Sequence, residues 1–365
     1  MKWTGPLSRP RFIWCAGHVL WITRAPSANK PAPFASPLFT ALLDSSDSTV
    51  TSTVCVTAII ISEKRRKITG ETIVYDRYAR LDNSDREEAL AFISRRPELN
   101  IILLYNIQMF GMDQGDTPFH GDYFGLRDDS GLIAAGVLFN LGSLFFYAVE
   151  DEAIEGMADY MLDLGRVPSF MNGKASHFSK ILEGLSGKLD YTFSQILTDQ
   201  MALRGSVQEG VDTECARPSR MSDIATLVEK QVALEEELFG GASMDDVSLR
   251  ELLSWQVRKG AASVAEREGL IVSKAEATVL KGTGAQVGGV FTRPAFRGRG
   301  FSTACVADLC KRVLNEVDLV ALSVEKENLA SHRVYQKIGF QKVDDWMIVA
   351  LRPKSSSREN RPGPG

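Results

Sequence analysis

The sequence predicts an α/β (α+β) chain built as two tandem halves, and three observations carry that reading. The order of elements across residues 72–205 is echoed across 212–353. In both stretches short β-rich apolar runs alternate with amphipathic helical segments. The flanks, 1–70 and 354–365, differ in composition from either half. At 365 residues, 44% hydrophobic and 24% charged, the chain is long enough for two domains.

The first half opens with a helix over 84–96, where Ser84 is placed to cap and Glu87 and Glu88 favour the positive end of the dipole. A strongly apolar run follows at 99–106. Residues 123–127 and 132–139 flank Asp-Asp-Ser-Gly at 128–131 and predict a hairpin. A strand at 144–149, helices at 153–164 and 176–185, and a closing strand at 191–198 complete this half. The second half repeats the plan. Helices are expected at 221–239 and 248–258, strands across 262–292, helices at 302–315 and 328–338, and a last strand at 341–351.

The most informative stretch lies inside the second half. An apolar β-rich run at 287–292 ends before Pro294, Arg297-Gly298-Arg299-Gly300 follows, and an amphipathic helix then begins. A strand, a glycine-rich turn and a helix N-terminus together direct several backbone N–H groups at one point, where the helix dipole favours an anion such as a pyrophosphate. Gly298 and Gly300 permit positive φ, and Arg297 and Arg299 add charge. Some twenty residues on, a β-rich run at 319–324 leads into a helix-like segment with Leu329, Val334 and Ile338 on one face and Gly339 as its stop.

Together these stretches resemble the GNAT superfamily of N-acetyltransferases. That family's Arg/Gln-x-x-Gly-x-Gly/Ala turn is matched by Arg297-x-x-Gly300-x-Ser302, and a second pattern by Asn328, Ser331, Tyr335, Gly339 and Phe340. The resemblance covers roughly 215–353. It implies a mixed, mostly antiparallel sheet flanked by helices in each half, with a splayed central strand pair in the C-terminal one. It also implies acetyl-CoA as acyl donor. The backbone of Arg297, Gly298, Arg299, Gly300, Phe301 and Ser302 would cradle the pyrophosphate. The main chain of Val290, Phe291 and Thr292 would run beside the pantetheine arm. Asn328, with Ser331, would bond the pantetheine or hold the second helix, and Tyr335 would protonate the departing thiolate. Ser302 departs from the family's Gly or Ala, and its hydroxyl either crowds a phosphate or bonds it.

The chemistry is consistent with the residue types. A phenol with a pKa near ~10 is neutral at pH 7 and can protonate a thiolate. An attacking amine must also lose a proton, which calls for a carboxylate. Glu276 sits in the apolar run 269–280 and either faces inward, suited to base work, or outward and solvated. Glu235, Glu236 and Glu237 precede Gly240 and Gly241 and read as a wet helix face.

Other classes are disfavoured. A net charge of −4 and the absence of a Lys/Arg stripe leave no nucleic-acid footprint. Five scattered cysteines suggest reduced thiols in a cytoplasmic protein, and four histidines form no ligand cluster, so no metal is implied. Cys305 and Cys310, five apart on one helix, should not share a face, and His332 reads as a solvated helix position. No window has the ~18 continuous apolar residues of a membrane span. Residues 1–43 hold six prolines, five Lys/Arg and no acid, which predicts a poorly ordered extension; 354–365 reads as a disordered tail. In the first half Glu150-Asp-Glu152 stands where a phosphate turn would be, and three acids there repel an anion, so only the second half is expected to bind coenzyme A. The first half would then shape the acceptor pocket.

The leading expectation is an acyl-CoA-dependent N-acyltransferase acting on a small-molecule or peptide amine acceptor. The alternatives are a non-catalytic acyl-CoA sensor or scaffold, and an aminoacyl-tRNA-dependent transferase, against which the acidic balance counts. The oligomeric state is open.

Overall fold

The computed structural model describes residues 78–353, except 118, 240–244 and 281, together with two short strands near the N-terminus. Those strands, β1 (Phe12–Cys15) and β2 (His18–Trp21), pair antiparallel where the composition predicts no order. The other expectations for 1–70 and for 354–365 fall outside the described residues. All described residues belong to one compact unit.

The first half runs β3 (Tyr78–Leu81), α1 (Arg86–Ile93), α2 (Pro97–Phe110), β4 (Gly121–Asp128), β5 (Gly131–Phe139), β6 (Ser143–Ala148), α3 (Met157–Asp163), β7 (Phe170–Lys174), α4 (Ala175–Leu185) and β8 (Tyr191–Arg204). The second runs β9 (Ala216–Pro218), α5 (Ile224–Phe239), α6 (Asp246–Arg258), β10 (Ala262–Arg267), β11 (Leu270–Leu280), β12 (Gly284–Thr292), α7 (Phe301–Val313), β13 (Leu319–Glu325), α8 (Leu329–Ile338) and β14 (Gln341–Pro353). The two orders are identical.

The halves nevertheless share one 12-stranded sheet, ordered β3-β4-β5-β6-β7-β14-β8-β13-β12-β11-β10-β9. Its ladders are antiparallel except β6–β7 and β12–β13. The closing strands are exchanged. β8 leaves its own half to pair with β13, while β14 returns to pair with β7, and the two lie side by side at the seam. Packing follows the exchange, since Met347, Val349 and Leu351 of β14 join the core beneath α3 and α4. An expectation of two separate bodies has no access to this arrangement, because each half supplies the other's missing strand.

Alternation along the strands fixes two faces. Val320, Leu322 and Val324 meet α7 and α8, whereas Leu319 and Ala321 meet Ile101 of α2. Helices α3, α4, α7 and α8 therefore cover one face, and α1, α2, α5 and α6 the other. Residues 98–107 of α2 are all buried. A segment apolar on every side has no 3.6-residue signature, and only Pro97 at its first turn marked it as helix. Strand β7 and strand β9 also escaped the sequence reading, being three to five residues long.

Cys305 and Cys310 lie on different sides of α7, as their spacing predicts: Cys305 Sγ approaches the Ser263 carbonyl of β10, and Cys310 lies near Tyr335 of α8. Both Cys305 and Cys310 are buried, because this helix is enclosed by the sheet on one side and α8 on another. Burial pushes the Cys310 thiol up to about 12. The exchanged strands make a firm prediction. Split between 205 and 206, each half expressed alone should be unfolded by circular dichroism, whereas co-expression should restore a folded complex.

Candidate functional site

The site begins where β12 stops. Pro294–Phe296 forms one 3-10 turn, and Gly298 (φ +73°) and Gly300 (φ +88°) then carry the chain into α7. Gly300 is the N-cap in left-handed conformation, and no side chain caps the helix. A Cβ at either glycine would meet nothing within 4 Å, so the space before them is open. The N–H groups of the first turn of α7 thus face open space without a competing side-chain acceptor, an anion site by construction. Arg297 lies at its rim. Its Nε donates to the Thr292 carbonyl at 3.0 Å, it pairs with Glu237 of α5, and its cation lies 5.9 Å from the Phe291 ring. Both members of that ion pair are nearly half exposed, so the pair contributes little and a phosphate can compete for the arginine. Arg299 lies over Phe296.

Behind the turn the sheet opens. β12 and β13 are in register only at Ala285 with Val320 and Gln286 with Ala321, although β12 continues to Thr292 and β13 to Glu325. The β13-facing edge of residues 287–292 is therefore free of the ladder. On the other side, Phe291 faces Lys274 but Gly288 faces Glu276, so Gly289 and Val290 form a bulge. Gly289 (φ +59°) is required twice over. Its backbone is left-handed, and a Cβ there would lie 2.5 Å from Glu276 Oε2.

Glu276 therefore faces inward, lodged under the bulge on the α5 face. It is not alone. Lys274, fully buried, donates from Nζ to Glu276 Oε1 at 2.5 Å and to Gln231 Oε1 at 2.6 Å. Gln231 in turn donates to Glu235 Oε1 at 2.8 Å. Glu235 is thus buried, contrary to the wet-face expectation, whereas Glu236 and Glu237 are exposed; of the three adjacent acids only the first turns inward. Lys230 is also buried, and its Nζ has no hydrogen-bond partner among the described residues. Burial first, then Arg293 and Lys274, hold its pKa below the usual ammonium range.

Tyr335 approaches from the other face. It belongs to the core beneath α7 and α8, edge-on to Phe340 at 5.8 Å. Burial, with Cys310 adding to it, raises the phenol pKa well above its ordinary value. Asn328 caps α8, its Oδ1 accepting from the Ser331 N–H at 3.0 Å, so of the two roles weighed for it the helix-holding one is visible. His332 is not solvated, because its side chain is 13% exposed and Nε2 lies 3.8 Å from Asp199 Oδ2 of the exchanged strand β8.

Three comparisons bear on this geometry. An FR47-like family model matches residues 267–349, which span β11 to β14. A GCN5-related N-acetyltransferase from Sphaerobacter thermophilus is 16% identical over 76% of this chain and 96% of its own, with a TM-score of 0.52. A Drosophila protein is 14% identical over 76% of this chain and 99% of its own, with a TM-score of 0.54. Neither half alone could supply that share. The chain has the GNAT fold. No curated protein matches the sequence.

Within the GNAT frame, the structure brings Arg297–Ser302 to the mouth of the splay and Val290–Thr292 along its free edge. It places Tyr335 and Glu276 on opposite faces of the sheet. Ser302 is the second residue of α7, half-buried, its hydroxyl without a hydrogen-bond partner among the described residues. In the first half the corresponding segment is a 3-10 turn at Asp151–Ile154, where Asp151 is taken up by Lys180 at 3.0 Å. Among the described residues, no three His, Cys, Asp or Glu side chains gather as a metal site, and no helix is long and apolar enough to cross a membrane.

The sequence reading missed Lys274, Gln231 and Gly289. A signal existed: opposite charges two apart in an otherwise apolar strand share a face and are close enough to pair. The pairing predicts a specific stability pattern. Lys274→Met should destabilise the protein by about 3–5 kcal/mol, because Glu276 is left buried and unpaired. Lys274→Met with Glu276→Leu should recover most of that loss in denaturant unfolding.

Proposed function

We propose that this chain is an acyl-CoA-dependent N-acyltransferase that transfers acetyl from acetyl-CoA to a primary amine by direct attack. The observation that carries the reading is the uncapped N-terminus of α7, opening onto free space at the end of a strand whose inner edge has left the ladder. That arrangement suits a donor with a diphosphate at one end and an extended, amide-bearing arm. The N–H groups of the 298–303 turn and the charge of Arg297 and Arg299 hold the diphosphate. The free edge of residues 287–292 hydrogen-bonds the arm as an added strand would.

The acyl carbon then lies in the splay, between Tyr335 on one face and Glu276 on the other. As the amine nitrogen bonds to the acyl carbon, the carbon–sulfur bond breaks. Tyr335 gives its proton to the leaving sulfur, and Glu276 takes the proton lost by the amine. The raised phenol pKa keeps Tyr335 protonated throughout the neutral and alkaline range, as an acid for this step must be. Lys274 occupies Oε1 of Glu276, which leaves Oε2, the oxygen beside Gly289, for the amine.

That same ion pair supports a second reading. A carboxylate held in a buried ion pair is not free to move toward an amine, and a chain that keeps the donor site without an effective base would be an acyl-CoA sensor or scaffold.

Two measurements separate these outcomes. Acetyl-CoA should raise the melting temperature, and Arg297→Glu with Gly300→Asp should abolish the rise. A double variant that still responds would place the donor elsewhere. Thiol release with a panel of amines should fall about 100-fold or more in Tyr335→Phe. Its alkaline limb should not reflect Tyr335, whose ionisation burial has moved above pH 10. A melting shift without turnover of any amine would favour the sensor.

A further inference from the structure

A cavity of about 20 Å³ lies on the α2 face at the seam, where the crotch of the β12–β13 splay meets the exchanged strands. Both halves build it. Its polar lining is Asn100 of α2, Asn172 of β7, Gln200 of β8, Gln286 of β12 and Ser323 of β13. No ionisable side chain lines it, and α2 supplies an apolar wall.

The hydrogen bonds show what is left to offer. Ser323 Oγ donates to Gln200 Oε1 at 2.5 Å, and Gln200 Nε2 donates to the Glu98 carbonyl at 2.9 Å, so both are satisfied. Asn172 accepts from Trp346 Nε1 through Oδ1, which leaves its amide N–H₂. Asn100 spends its N–H₂ on the carbonyls of Ile93 and Arg96, which leaves its oxygen. Gln286, only 6% exposed, lines the cavity, and among the described residues no side-chain hydrogen bond holds its amide. Nine-tenths-buried amides without partners cost free energy unless something completes them.

Position ties this cavity to the reaction. Thr292 to Gln286 is six residues of β12, about 20 Å at 3.3 Å per residue. A donor anchored at the 297–302 turn and extended along this edge points its thioester toward the crotch. Resting on the function proposed above, we propose that this cavity is the acceptor subsite. It takes the head group of an amine that bears an uncharged hydrogen-bonding group, a carboxamide above all.

The lining decides between head groups. A carboxylate or second ammonium would bring an unpaired charge into a cavity with no counter-ion, and a hydrocarbon would leave Gln286 and Asn172 unsatisfied. A carboxamide offers one donor pair and one acceptor against one acceptor, one donor pair and a whole amide. At about 20 Å³ the cavity exceeds the about 10–15 Å³ that one water needs, so a head group would enter it by displacing water. With the head group seated there, the amine nitrogen is left at the acyl carbon, to form the new amide as the thiol departs.

The test compares three amines of matched length, glycinamide, glycine and n-propylamine, by thiol release from acetyl-CoA, at equal concentrations of free amine base. Glycinamide should exceed both others in kcat/KM by about tenfold or more. Gln286→Leu should raise the glycinamide KM by a similar factor and leave the acetyl-CoA KM unchanged. Gln286→Ala serves the same purpose if the leucine variant does not fold. A separate reading needs no turnover: with coenzyme A present, glycinamide but not glycine should raise the melting temperature, and Gln286→Leu should remove that rise. If no amine is acetylated but the glycinamide shift appears, the transferase reading fails and the subsite stands. A preference for glycine or propylamine, or a melting shift indifferent to Gln286, means that the cavity holds only water and overturns the inference.

Discussion

The ladder between β8 and β14 runs from Gln341 opposite Ala202 to Pro353 opposite Tyr191, and the site depends on it. These two strands occupy the middle of the sheet, so the two parallel pairs, β6–β7 and β12–β13, are brought toward each other across the seam. A parallel pair has no hairpin to hold its far end, and both pairs here part after two or three residues. In the second half that parting creates the free edge beside the glycine turn. In the first half Phe145 and Asn172, the last pair of the β6–β7 ladder, line the central cavity.

Charge is segregated around the splay in a way that matches its chemistry. The cationic rim, Arg297 and Arg299, is exposed where a diphosphate would enter. Lys274 and Glu276 are paired and buried on the α5 face, and the seam cavity has no charge at all. A neutral phenol completes the opposite side. Each zone differs in the penalty it sets on an ionised visitor, so the path from the turn to the crotch runs from strongly anion-favouring to charge-excluding.

The sequence was most legible where local rules decide the conformation. Gly298 and Gly300, the helix after them and the stop at Gly339 follow from backbone sterics, and the structure places each as expected. The repeated order of elements was legible for the same reason. Partnership was not. Nothing local in residues 341–353 tells that they pair with 170–174 as well as with 191–202, because a strand's neighbours are chosen by the whole sheet. The inward turn of Glu235, the paired state of Glu276 and the burial of both Cys305 and Cys310 were hidden likewise. Each depends on an element distant in sequence. Segment 97–110 failed differently, since its apolar surface is continuous and periodicity has nothing to report.

The exchange of closing strands also bears on how the chain is made. During synthesis from the N-terminus, β3 to β7 can assemble early, yet β7 keeps an open edge until β14 arrives as the last strand of the sheet. β8 has emerged well before its partners β13 and β14 exist. For most of its translation the nascent chain therefore displays unpaired strand edges at its centre, where an intruding strand would do most harm. The final pairing joins residues about 150 positions apart, such as Thr198 and Trp346, so it is slow to form and commits the whole protein at once.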